Sequence, residues 1–255
     1  MIVDSSQNCL RIAEAAEIWT PLRQFIADGK IDLGNPLALT EYNRALLFGL
    51  TGCRIEIPRE YLIPAVCLRY SYIQFLKDQF PHSKTLLDVG TGTSAILALI
   101  AHHLGFRVFA TELDPVALEW ARKNLESNGV RTIVFPSSGG ILKGVVPPDA
   151  LDEIDLTVTY PPFYPMDTPG RTSFKKRGFK GSSSELFGGV TGIEFTRQYI
   201  SEACEFQIPV PSVLLHKKEF ARQTERFYSS SYSVHTVPVK AGTRYRFIVY
   251  GVLKA

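Results

Sequence analysis

KTLLDVGTGTSAILALIAHHLGFRVFATELD, residues 84–114, decides the fold. KTLLDVG is a short apolar run of the kind a buried strand shows. Asp88-Val89-Gly90-Thr91-Gly92-Thr93-Ser94 interrupts it with two glycines. SAILALIAHHLG then predicts a helix stopping at Gly105, and FRVFATELD a second strand. Strand, glycine turn, helix, strand is the opening unit of a parallel sheet that binds ligands at the carboxyl ends of its strands. The glycines let backbone approach such a ligand closely.

The same alternation continues downstream. PVALEWARKNLESNG predicts a helix with Pro115 at its first position and Gly129 as its stop. RTIVFPSS and DLTVTYPPF are strands, GIEFTRQYISEACEFQ a helix, PSVLLHK a strand and KEFARQTERFYSS a helix. SVHTVPV and RYRFIVYGVLK follow without a helix between them, so they should pair antiparallel. Upstream, LRIAEAAEIWTPLRQFIADG predicts one helix ending at Gly29. NPLALTEYNRALLFGLTG predicts another, with Asn35 as its cap, Pro36 at its first turn and Gly49 or Gly52 near its end. IEIPREYLIPAV is broken by Pro58 and Pro64, and LRYSYIQFLKDQF is a third helix. The reading is α/β: a helical N-terminal extension over 1–80 and a Rossmann-like domain over 81–255.

Of the 255 residues, 45% are hydrophobic and 21% charged, which excludes disordered and collagen-like chains. No apolar run approaches the roughly 18 residues of a membrane helix. The N-terminus lacks the basic stretch and apolar core of a secretory signal. Cys9, Cys53, Cys67 and Cys204 are scattered with no CxxC pair. The expectation is therefore an intracellular, reduced protein without a metal site or disulfide framework. Residues 1–159 carry 14 Lys+Arg against 18 Asp+Glu, and residues 160–255 carry 14 against 7. A basic C-terminal part suits either an acidic partner such as nucleic acid or a solvated basic face.

Glu112 ends the second strand about 20 residues after the glycines, where an acid accepts hydrogen bonds from ribose hydroxyls. NAD and S-adenosylmethionine both offer that ribose. The third glycine of the dinucleotide fingerprint is missing, since Ala95 or Ile96 stands there. Adenosylmethionine has no pyrophosphate to require that glycine, so it fits better.

The fourth strand of this unit runs into Thr159-Tyr160-Pro161-Pro162-Phe163-Tyr164. Two prolines make a rigid loop that cannot continue a central strand. Amino-directed methyltransferases carry Asn, Asp or Ser, then Pro-Pro-aromatic, at this place. There the first side chain and the first proline carbonyl hold an exocyclic amine toward the methyl group, while the aromatic ring stacks on the base. Such catalysis is positioning and electrostatics. A duplex hides the amine, so the target base must be unpaired or flipped. Tyr160 departs from the pattern: its hydroxyl takes over the hydrogen bond, or the acceptor differs, or catalysis is lost. RTSFKKRGFK, residues 171–180, interleaves Arg171, Lys175, Lys176, Arg177 and Lys180 with two phenylalanines, which suits phosphate contacts and base stacking. His216 and the pair His102-His103 read as packing or surface groups. For Lys217-Lys218, solvated charge and a role at the site are equally open.

IEIPREYLIPAVCLRYSYIQFL, LLDVGTGTSAI, FATELD, the diproline-Phe, ELFGGVTGIEF, LLHKK and GTRYRF together resemble one family. It holds methyltransferase-like protein 16 and the bacterial large-subunit ribosomal RNA adenine-N6 methyltransferase F. The resemblance runs from about Gly29 to the C-terminus. It implies a class I S-adenosylmethionine-dependent methyltransferase with a seven-stranded mixed sheet of order 3-2-1-4-5-7-6, acting on adenine N6 in structured RNA; a monomer is the separate expectation for the assembly. It implies Arg69 on the cofactor's carboxylate, Asp88, Gly90, Gly92 and Ser94 at the cofactor turn, Glu112 on the ribose, and a backbone contact at Gly140. Tyr160, Pro161, Pro162 and Phe163 match the catalytic loop, with Tyr160 standing where the family has Asn. Lys217 and Lys218 match a lysine loop that can cover the cofactor pocket, and Arg246 an arginine on the RNA-facing side; together with Tyr164, Arg244 and the basic residues of 171–180 they are the expected RNA contacts. Transfer to guanine N2 or a protein glutamine, and an RNA-binding protein without activity, remain the alternatives.

Overall fold

The computed structural model describes residues 2–166, 168 and 181–254. In chain order the elements are β1 (Val3–Asp4), α1 (Ile12–Ile18), β2 (Ile26–Ala27), β3 (Lys30–Ile31), α2 (Pro36–Thr51) and α3 (Val66–Gln79). Then come β4 (Thr85–Val89), α4 (Ile96–His103), β5 (Arg107–Glu112), α5 (Pro115–Ser127), β6 (Val134–Pro136), α6 (Pro148–Leu151) and β7 (Leu156–Val158). The chain closes with α7 (Ser183–Leu186), α8 (Glu194–Glu205), β8 (Val210–Leu215), α9 (Lys218–Glu225), β9 (Tyr232–Ala241) and β10 (Arg244–Leu253).

One sheet has the order β1-β9-β10-β8-β7-β4-β5-β6. Strands β4 to β8 run parallel, and β10 lies antiparallel to both β8 and β9. Read from β6, this is the expected 3-2-1-4-5-7-6. The seven-strand expectation is short by one: β1 adds an eighth, pairing Val3 with Val239 and Asp4 with Lys240. The consequence for the site is geometric. The carboxyl ends of β4, β5, β7 and β8 share one edge of the sheet, and because β10 is reversed, its first residues reach that same edge.

The central strands are buried on both faces, as a parallel sheet covered by helices requires. On one side α3 and α4 lay Tyr72, Ile73, Leu76, Leu97 and Ile100 against Leu86, Val158 and Leu214. Tyr72 is fully buried and satisfies its hydroxyl on Ser212 Oγ at 2.9 Å. On the other side Tyr199 of α8 bonds Thr157 and Ser212. Helix α2 starts and stops as its sequence reads: Asn35 accepts from Leu37 N–H, Pro36 follows, and Gly52 closes it at φ +74°. Gly49 is instead a packing glycine, since a Cβ there would strike Leu10 and Ile18.

Two expectations fail in the extension. The single helix ending at Gly29 is broken: α1 stops at Ile18, Pro21 opens a 3-10 turn over Thr20–Phe25, and Asp28-Gly29 turns the β2–β3 hairpin. Proline removes the donor that would have carried the helix on, and Asp28 and Gly29 take the positive φ values that a two-residue hairpin turn demands. The cysteines are not all free either. Cys9 and Cys67 form a disulfide, with Cα atoms 5.5 Å apart, tying the N-terminal segment to α3. Scattered spacing hid this because the two are brought together only when β1 docks on the sheet edge and Asn8 reaches Ser71 of α3. Cys53 and Cys204 are free. No described helix is long and apolar enough to cross a membrane.

Candidate active site

A cavity of about 250 Å³ opens at the carboxyl edge of the sheet. Its floor is the Gly90-Thr91-Gly92 turn. Gly90 and Gly92 adopt φ +70° and +66°, where L side chains are strained. The turn is fastened to β5: Gly90 and Thr91 N–H donate to Thr111 O, and Gly92 N–H donates to Glu112 Oε2 at 2.7 Å. The other Glu112 oxygen accepts from Leu113 and Asp114 N–H. Three backbone donors therefore aim the carboxylate at the cavity it lines, while burial raises its pKa. Ala95, where the third fingerprint glycine is missing, sits at φ +48° and fully buried, a left-handed conformation that costs an alanine roughly 1–2 kcal/mol. Asn124 of α5 pins the turn from behind by donating to Thr93 O and Glu56 O.

Asp88 does not line the cavity; it lies fully buried beneath the turn. Its Oδ2 accepts from Thr91 Oγ and Ala98 N–H, while its Oδ1 is buried without a partner among the described residues. Burial pushes its pKa up to about 7, against the two hydrogen bonds and Arg69, which act the other way. Arg69, on α3, lines the opposite wall with its guanidinium 4.8 Å from the Tyr160 ring centre. Its only hydrogen bond among the described residues goes to Ala65 O, and it pairs with no carboxylate there. Gly140 and Gly139 form the far wall; a side chain at Gly140 would collide with Lys143 O, so backbone alone faces the cavity.

These residues fit S-adenosylmethionine. Glu112 would take the ribose hydroxyls, Arg69, which pairs with no carboxylate among the described residues, would take the carboxylate, and the glycine turn would admit close backbone contact. When bound, that cofactor supplies an electrophilic methyl group on a sulfonium.

The structure brings Arg69, Gly90, Gly92, Ser94, Glu112, Gly140, Tyr160 and Pro162 onto one cavity. Pro161 is buried behind it. Phe163 stands outside the lining, stacked on His216 with ring centres 3.8 Å apart and flanked by Tyr160 at 6.3 Å and Tyr164 at 4.6 Å. The Tyr160 hydroxyl makes no hydrogen bond among the described residues. Lys217 and Lys218 are exposed at the start of α9, where the positive end of a helix disfavours cations, and Lys217 Nζ lies 6.0 Å from the Phe220 ring centre. Arg244 is exposed, and Arg246 is half-buried with Nε lacking a partner among the described residues. Both start β10 and stand on the edge of His216, since Phe247 pairs with Leu215. Arg171, Lys175, Lys176, Arg177 and Lys180 lie outside the described residues.

Two contributions escaped the sequence reading. His216 packs, as expected of it, but on the ring of Phe163 in the diproline loop, a partner the sequence did not name. Its Nδ1 is buried without a partner among the described residues, and burial, with Lys217 and Arg246 nearby, lowers its pKa to about 4. The second is the segment 185–195. Tyr164 N–H donates to Leu186 O, Gly188 N–H to Tyr164 O and Met166 N–H to Gly189 O, so this segment clamps the diproline loop. A side chain at Gly188 would strike Pro162 O, and one at Gly192 would strike Phe163 O. The glycines in ELFGGVTGIEF were the signal; close backbone approach is one of the few reasons for them.

Residues 21–224 match the family described as RNA methyltransferase. A protein of Methanocaldococcus jannaschii named as a methyltransferase is 29% identical over 95% of this chain and 98% of its own. The ribosomal RNA large subunit methyltransferase F of Bacteroides thetaiotaomicron is 26% identical over 75% of this chain and 76% of its own. The human METTL16 catalytic domain, solved with a MAT2A 3′UTR hairpin, superposes with a TM-score of 0.80 at 25% identity, covering 95% of this chain and 91% of that one. Its N-terminal domain has also been solved with S-adenosylhomocysteine, at TM-score 0.74 and 23% identity over 96% of this chain and 95% of that one. With 204 of its 255 residues inside the family match, the chain belongs to this family of RNA methyltransferases and uses S-adenosylmethionine as its methyl donor.

Proposed function

We propose that the protein methylates the N6 amine of an unpaired adenine in structured RNA. One observation carries the reading: Tyr160 stands on the same cavity as Arg69 and Glu112, with a hydroxyl uncommitted among the described residues. The hydroxyl replaces the Asn oxygen of the family and, with the Pro161 carbonyl, accepts hydrogen bonds from the exocyclic amine. The nitrogen lone pair forms the new N–C bond as the C–S bond breaks, sulfur keeps that electron pair, and the amine loses a proton to water. Phe163 supplies the stacking face for the base.

In this reading residues 81–255 hold the transfer chemistry, and the extension 1–80 contributes Arg69 and one wall of the cleft. The basic residues of 171–180, with Lys217, Lys218, Arg244 and Arg246, grip RNA phosphates around Tyr164. The protein acts as a monomer inside the cell, where RNA and the donor meet. The disulfide does not oppose that setting, since intracellular disulfides persist in some thermophilic proteins.

The test is mass spectrometry of nucleosides from total RNA after incubation with the protein and methyl-labelled donor. Labelled N6-methyladenosine is expected. Labelled N2-methylguanosine, or label confined to protein, overturns the proposal. The replacement of Asn by Tyr160 favours one second reading, an RNA-binding protein without turnover, which no label in any fraction would support.

A further inference from the structure

The motif ELFGGVTGIEF has so far been explained only by its glycines, which leaves its first residue. Glu185 is half-buried and lines the donor cavity, although it lies 73 residues beyond Glu112 in the chain. Its two oxygens are treated differently. Oε2 accepts from Ser182 N–H at 3.0 Å, Ser182 Oγ at 3.3 Å and Leu62 N–H at 3.1 Å. Oε1 accepts no hydrogen bond among the described residues and faces the glycine turn, 3.9 Å from where a Cβ on Gly92 would lie. One oxygen is structural and the other is held open toward the cavity.

An amino-acid moiety carries a carboxylate and an ammonium on one carbon, so its site needs a cation and an anion side by side. Arg69 is the cation. The other acids near the turn are committed or misplaced. Asp88 lies under the turn, outside the cavity lining. Glu112 is oriented by three backbone donors at the ribose end. Asp114 caps α5 with Oδ1 and accepts from Tyr61 and Ser184 with Oδ2. Glu185 alone among these brings an unused oxygen to the Arg69 side, and the two charges are close enough to favour the charged arginine.

We propose that Glu185 binds the α-ammonium of the methyl donor, opposite Arg69 on its carboxylate. Resting on the reading of this cavity as the donor site, the assignment gives the 185–195 segment two roles. Its first residue holds the donor and its glycines hold the target loop, so both reactants are positioned from one piece of backbone. Burial, with the like charge of Glu112 adding to it, raises the Glu185 pKa, a cost that a bound ammonium relieves.

Calorimetric titration of the intact protein tests this with three ligands. They are S-adenosylhomocysteine, its analogue lacking only the amino group, and 5′-methylthioadenosine, which lacks the whole amino-acid moiety. Glu185→Gln keeps an oxygen for Ser182 and Leu62, so the wall stays in place. The variant should bind S-adenosylhomocysteine about 10- to 100-fold more weakly, the range for a hydrogen bond to a charged group. It should bind the other two ligands within twofold of wild type. Equal losses for all three would make Glu185 a wall residue only and overturn the proposal, as would undiminished S-adenosylhomocysteine binding. Wild type that binds none of the three would overturn the donor-site reading itself, and the assignment with it.

Discussion

At the donor end of the cleft the shaping atoms belong to backbone. The glycine turn is tied to β5 through Thr111 O, and Glu112 is aimed by three N–H groups. At the target end they belong to side chains drawn from separate places: Tyr160 and Phe163 from the loop after β7, His216 from the end of β8, and Arg246 from the start of β10. A backbone-built end tolerates few sequences, because φ values and close approaches exclude most side chains. A side-chain-built end can be rebuilt by exchanging rings, and Tyr160 is such an exchange. The two ends therefore answer to different perturbations.

The largest expected effect is at the donor end, from Asp88. Its folded pKa of about 7 lies above the ordinary 3.8, so the folded state binds the proton more tightly than the unfolded state. The stability this contributes is complete below about pH 4 and is lost as pH rises through 7. Asp88→Asn removes the titration. The variant should gain on wild type between pH 4 and 7.5, by at most about 4 kcal/mol at ~1.4 kcal/mol per unit. Denaturant unfolding of both proteins across that range measures it. A stability difference that stays flat with pH would mean the carboxylate is better solvated than its burial indicates.

That contrast also explains what the sequence disclosed. The donor end was legible because its rules are local: glycines at fixed offsets, an acid at a strand end, Pro36 and Pro115 opening helices. The strand order was carried by the resemblance, and the antiparallel end of the sheet by β10 following β9 without a helix between them. The disulfide was not legible, because Cys9 meets Cys67 only through the docking of a two-residue edge strand. The break after α1 was visible in Pro21 but outweighed by apolar spacing on both sides of it. His216 gave no signal, since a lone histidine at a strand end looks the same whether its ring meets solvent or Phe163. Glu185 carried no signal of its own, because nothing local tells a cavity-lining acid from a capping one, and Glu185 is both.

The next effect is at the target end. If the Tyr160 hydroxyl accepts from the amine, Tyr160→Phe removes one preorganised hydrogen bond, worth about 3–4 kcal/mol or 100- to 1000-fold in rate. Donor affinity should hardly change, because the ring that Arg69 stacks on remains. Single-turnover transfer to one adenine-containing hairpin, beside calorimetry with S-adenosylhomocysteine, separates the two. Unchanged rate in Tyr160→Phe, with a gain in Tyr160→Asn, would show that the tyrosine displaced the Asn without replacing its function. The side-chain end would then have been altered at the expense of turnover.

The smallest effect sharpens the comparison most, because it probes the ring that the pattern did not announce. His216 stacks on Phe163 at 3.8 Å and 24°, and its edge meets Phe220 with ring centres 5.0 Å apart. Such pairs are worth about 0.5–1.5 kcal/mol beyond area, so His216→Ala should lower turnover on RNA by roughly two- to tenfold through a less fixed Phe163. His216→Phe keeps a ring and should restore most of it. The depressed pKa, about 4, keeps the imidazole neutral at pH 7. Its contribution to stability is present above pH 6.5 and lost as pH falls toward 4, since the unfolded state takes the proton first. A wild-type rate profile should therefore show no step near 6.5 that His216→Phe removes. Such a step would mean that the imidazole titrates in the reaction as an acid or base. In that case the target end works by proton transfer, and the division between a backbone-set donor end and a ring-set target end would need redrawing around His216.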